Sequence, residues 1–246
     1  MSFDLRTFVA RLRQPEAAPG WSATLAAMLV LAYLAARVIA LAILSVLLDA
    51  EAAARGVFSP LAANLAGVAA ALMALGLAAL TVRPRVRGPL AAALGLQRWP
   101  GSTLLLMIFA LGMAILIDFV PLLFQTIGLP VTLQGLGAGG LADWLAAALY
   151  VVVAAPLAEM TLLAGMLFPA LAAGSSRLLA IGLTALIYAA VQNFDNPANP
   201  VAWIEALLTG AFLIILRAYQ RSTRPTVIAA AMFGLFALFK ALRLFL

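Results

Sequence analysis

The chain has 246 residues, 66% of them hydrophobic and 10% charged, with a mean hydropathy of +1.13. Soluble globular chains average about 45–50% apolar and about 25% charged residues, so a chain this apolar cannot cover its own surface in water. A soluble enzyme, a nucleic-acid-binding protein and a disordered scaffold are thereby excluded, and the net charge of +6 reads as cytoplasmic loops rather than a nucleic-acid footprint. Long stretches are apolar on every face, whereas a β-barrel needs alternation, so the expected fold class is an all-α polytopic membrane bundle. The chain holds neither cysteine nor histidine. Disulfides and thiolate chemistry are therefore impossible, and the commonest general base and metal ligand are missing. No metal and no cofactor are expected.

Residues 1–20 read as an arm. Leu5, Phe8, Val9 and Leu12 fall at helical spacing, with Arg6, Arg11 and Arg13 opposite and Pro15 closing the run. The pattern predicts a short amphipathic helix on the inner leaflet, its arginines facing anionic lipid headgroups; a poorly ordered basic tail is the alternative. A signal peptide is not expected, because the apolar run from Trp21 to Leu48 is too long for one.

The rest, 21–246, reads as one transmembrane domain with about seven spans: 21–48, 60–82, 102–127, 142–172, 178–191, 201–219 and 225–245. The fourth is long enough to tilt, or to break near Pro156. The fifth is short for a crossing, which makes Gln192–Pro200 a candidate re-entrant or buried irregular segment. Leu90–Leu96, flanked by arginines, is too short to cross and is placed at the interface. Basic residues number eleven in the arm, 83–98, 173–177 and 217–224, against one (Arg55) in the alternating loops. That bias predicts a cytoplasmic amino terminus, in a bacterial inner membrane. Lys240 and Arg243 then fall on the wrong side, in mild conflict.

An ionisable group in hydrocarbon costs at least ~2.5–3.5 kcal/mol on insertion scales, so each needs a reason. The candidates are Arg37, Asp118, Glu159 and Glu205, with Gln192, Asn193, Asp195, Asn196 and Asn199 clustered after the fifth span. Asp118 and Glu205 sit near helix ends, where snorkelling or pairing suffices. Glu159 lies deep in the longest span, three residues after Pro156. It must be protonated, paired with Arg37, or hydrogen-bonded to the amides around Gln192. Glu159, Gln192, Asn193 and Arg37 are thus the candidate polar pocket.

The stretch from Ala155 through Leu167, APLAEMTLLAGML, resembles the first motif of the CPBP family, the CAAX-protease and bacteriocin-processing intramembrane endopeptidases. That motif reads EExxFRG. Glu159 keeps its first glutamate and Gly165 its glycine, while Met160, Leu163 and Ala164 replace the second glutamate, the aromatic and the arginine. The second motif, an aromatic with histidine four residues on, is similar to Tyr188 followed by Gln192. The third, a histidine with asparagine four later after a turn and a proline, falls on the helix after Pro225. There Ala229 (or Ala230) and Phe233 occupy the positions. Leu94-Gly95-Leu96 fits the family's interfacial piece, and the likeness in layout spans about 85–240.

The resemblance implies a peptidase in which paired glutamates and histidines activate water, with metal dependence often proposed. Here one motif carboxylate remains, and glutamine cannot shuttle a proton at neutral pH. Because such sites act as a unit, the expectation is no catalysis. The leading reading is a catalytically inactive, degenerate family member serving as a binding or scaffolding subunit for another integral membrane protein. The alternatives are a small transporter or lipid-handling protein using a polar intramembrane pathway, and a residual protease.

Overall fold

The computed structural model describes residues 16, 18–56, 58–124, 129 and 133–245. The amphipathic arm lies almost wholly outside the described residues. Helices α1 (Ala23–Leu48), α2 (Pro60–Val82), α3 (Thr103–Leu123), α4 (Leu141–Gly174), α5 (Arg177–Gln192), α6 (Pro200–Gln220) and α7 (Arg224–Phe245) form an all-α bundle. Six of these are long and apolar enough to cross a membrane. The exception is α5, whose 16 residues span ~24 Å against ~30 Å of hydrocarbon.

The helix starts follow from local chemistry. Ser22, Ser59, Ser102 and Ser176 each accept a hydrogen bond from a backbone N–H three residues on, at 3.1–3.3 Å. Asn199 does the same for α6, bonding the amides of Val201 and Ala202. Each side chain satisfies a donor left open by the first turn. Pro60 and Pro200 follow two of these caps, where the missing N–H does no harm.

α4 is the central helix: 83% of its most apolar window is buried inside the bundle, against 17–44% for the other spans. It touches α1, α2, α5, α6 and α7. The break expected near Pro156 does not occur. Instead α4 widens into two π-helical segments, Leu149–Ala154 and Thr161–Leu167, either side of a short α-helical stretch carrying Pro156 and Glu159. The shift of hydrogen-bond register before Pro156 absorbs its missing N–H without severing the helix. On α2, Ala62, Ala66, Ala70, Ala74 and Ala78 are all buried; this four-residue stripe of small side chains lets neighbouring backbones approach.

The basic segments meet at one end. Ser222 Oγ donates to Gly95 O at 2.9 Å, and Trp99 Nε1 to Gln220 Oε1 at 3.0 Å. Trp21 Nε1 reaches Met166 O at 3.1 Å. The motif glycine, Gly165, sits under this junction: a Cβ there would lie 2.9 Å from Leu94 O. Packing alone accounts for that glycine.

Candidate functional site

Lined by residues of α1, α3, α4, α5, α6 and α7 is a cavity of about 220 Å³. Glu159 is on its wall, 5% exposed, and both carboxylate oxygens are engaged. Tyr33 of α1 donates its hydroxyl to Oε1 at 3.1 Å, and Gln192 donates Nε2 to Oε2 at 2.6 Å. The Tyr33 and Tyr150 hydroxyls lie 3.4 Å apart, which extends the chain of polar groups along α4. Tyr150 fits because position 67 on α2 is glycine; any Cβ there would overlap the tyrosine ring.

Arg37, one turn along α1 from Tyr33, does not bond Glu159. It pairs with Asp195 in the segment after α5, and its guanidinium lies 5.8 Å from the centre of the Tyr150 ring. Of the partners expected for Glu159, Gln192 makes the hydrogen bond, while Arg37 lines the same cavity and pairs with Asp195 instead. Asn193 donates to Ala189 O and Ala202 O, fixing the end of α5 to the start of α6. Gln192–Pro200 is therefore an irregular rim to the cavity rather than a re-entrant segment.

Lys240 reaches inward to pair with Asp118 across α7 and α3. That pairing accounts for Lys240 as an inward-facing partner rather than a loop charge, while Arg243 stays exposed at the end of α7 and keeps its part of the conflict. Glu205 lines the cavity beside them.

Tyr188, Gln192, Asn193, Arg37 and Phe233 all share the cavity with Glu159. Met160 and Ala164 are fully buried in the packed interior and are not on its wall. The face that α7 presents is Ala230, Phe233, Gly234 and Ala237, whereas Ala229 is fully buried and does not reach it. The sequence reading missed Tyr33 and Tyr150. Their signal was present: a hydroxyl in the middle of an apolar span needs a partner, and three of the chain's four tyrosines surround Glu159.

Among the described residues, no group of three or more carboxylates is placed to hold a metal ion. Glu159 has one neutral amide and one phenol as neighbours, and Asp118 and Asp195 are taken by Lys240 and Arg37. Zinc is held by thiolate, imidazole and carboxylate ligands, usually three or four together. The donor set here does not fit it.

Residues 141–236 match the family model described as Type II CAAX prenyl endopeptidase Rce1-like. No curated protein and no solved structure matches the chain significantly. The matched stretch runs from the start of α4 into α7 and supplies Glu159, Tyr188, Gln192 and Phe233 to the cavity. The chain is a multi-pass membrane protein whose residues 141–236 are similar to the type II CAAX prenyl endopeptidase Rce1-like family.

Proposed function

We propose that this protein is a catalytically inactive Rce1-like membrane protein that binds or scaffolds another integral membrane protein. The observation that carries the reading is the occupancy of Glu159: neutral donors hold both of its oxygens. Hydrolysis needs a partner acid or base to relay the proton that a carboxylate takes from water, and glutamine stands at 192, where the resembled motif has histidine. Methionine and alanine stand at 160 and 164, in the packed interior, where the resembled motif has carboxylate and arginine. A packed bundle and its docking surfaces do not depend on those reactive groups, so binding can outlast them.

The direct test is to incubate the purified full-length protein with prenylated CAAX peptides and leader peptides, and to measure its zinc content. No cleavage and no stoichiometric zinc are expected. Cleavage abolished by Glu159→Gln would overturn the reading. Crosslinking in membranes should then trap an integral membrane partner.

A transporter or lipid-handling role is the second reading. It draws on the cavity, which carries Arg37, Asp118, Glu205 and Lys240 besides Glu159. Uptake into proteoliposomes that depends on Glu205 would favour it.

For orientation we propose a bacterial inner membrane with the amino terminus in the cytoplasm. The gathering of the basic segments at one end supports this, given the bias of positive charge to the inside. Because the chain has no cysteine, Arg87→Cys and Ala138→Cys can each be labelled from one side of a sealed membrane. Labelling of Arg87→Cys only from the cytoplasm and Ala138→Cys only from outside is expected. Labelling of both from one side contradicts the orientation.

A further inference from the structure

At the basic end, two buried arginines from different helices converge on one carboxylate. Arg177 opens α5 and Arg217 lies in the last turn of α6, and each is 6% exposed. Their Nη2 atoms donate to Oε2 and Oε1 of Glu16, both at 3.0 Å. Phe168 of α4 underlies the pair, its ring centre 5.9 Å and 5.8 Å from the two Cζ atoms. Arg221 lies near enough to add its charge to both.

Arg177 Nη2 also donates to Ala218 O, so its fork is partly satisfied within the bundle. Arg217 Nε and Nη1 are buried with no hydrogen-bond partner, an arrangement that is unfavourable unless something else occupies the site part of the time. A phosphate group brings more acceptor oxygens than a carboxylate and fits the guanidinium fork. Glu16 precedes α1 and belongs to none of the bundle helices.

We propose that the Arg177–Arg217 clamp is a phosphate-binding site, occupied by Glu16 in the free protein and opened when a phosphate group displaces it. The source is a lipid headgroup or a soluble phosphate. The clamp sits at the opposite ends of α5 and α6 from Gln192 and Glu205, so it stands or falls independently of the Glu159 site.

The test uses full-length protein in maltoside micelles, which contain no phosphate, with a spin label on Ala18→Cys. Phosphatidylglycerol and inorganic phosphate are added separately. Mobilisation of the label by the lipid alone assigns the site to headgroups, and mobilisation by inorganic phosphate assigns it to a soluble ligand; either supports the proposal. Glu16→Gln removes the competitor and should tighten phosphate-group binding about tenfold, as expected for a site otherwise free about a tenth of the time. Arg217→Lys in that background keeps the charge but loses the fork, and should abolish the gain. An immobile label under both additions, with equal affinity in wild type and Glu16→Gln, overturns the proposal. So does a tenfold gain that survives Arg217→Lys in protein of unchanged melting temperature.

Discussion

Glu159 and Glu16 both have two occupied carboxylate oxygens, yet the donors are of opposite kinds. Glu159 is met by a phenol and a primary amide from α1 and α5, both neutral donors. Glu16 is met by two guanidinium groups, one of which has further donors idle. In the first arrangement Tyr33 is buried in the bundle while Gln192 is exposed on the cavity wall, and removing the carboxylate takes the acceptor from both. The second is proposed to be exchangeable, because the acceptor lies outside the bundle helices while the two cations are carried by α5 and α6. The difference teaches where to look for activity: a satisfied group supports the fold, and an under-satisfied cluster awaits a ligand.

Substitutions can break or sharpen that contrast. The largest effect is expected from Gly67→Leu, which drives a side chain into the Tyr150 ring. Overpacking of this kind costs about 3 kcal/mol, measured by reversible unfolding in mixed micelles; a neutral result would mean that the tyrosine pair is not tightly held. Glu159→Leu strands Tyr33 and Gln192 and should lower stability by about 2 kcal/mol. Full stability in that variant would show that the site is wet and loosely paired. Tyr33→Phe removes one donor and should cost about 1 kcal/mol by the same measurement. The smallest effect, below that of Tyr33→Phe, is expected for Glu16→Gln: the pair is buried, but the amide oxygen still accepts from a guanidinium. A loss from Glu16→Gln exceeding that from Glu159→Leu would invert the comparison.

Much of the fold was legible because hydrocarbon imposes simple rules. Span limits fell within a few residues wherever serine or asparagine caps met apolar runs, as at Ser59 and Asn199. The path of α4 through Pro156 was not legible, since a π-helical register shift depends on packing around the helix rather than on propensity. The site was legible in its centre, because a carboxyl deep in an apolar span must find a partner. Its periphery was not. The partner of Arg37 is Asp195, 158 residues away, and that of Lys240 is Asp118; only the crossing of helices decides such pairs. The clamp on Glu16 escaped for the same reason, as Arg177 and Arg217 each read as an ordinary loop-end cation.

The central claim is that Glu159 holds the bundle and its partner surface together without doing chemistry. The most direct measurement compares wild type and Glu159→Gln for folded protein level and for recovery of the crosslinked membrane partner. The amide is isosteric and still accepts a hydrogen bond from Tyr33, so the account predicts that both quantities stay near wild type. Wild-type levels of folded Glu159→Gln protein, with all partner recovery or biological function gone, would contradict it and point to a reactive or proton-carrying carboxylate.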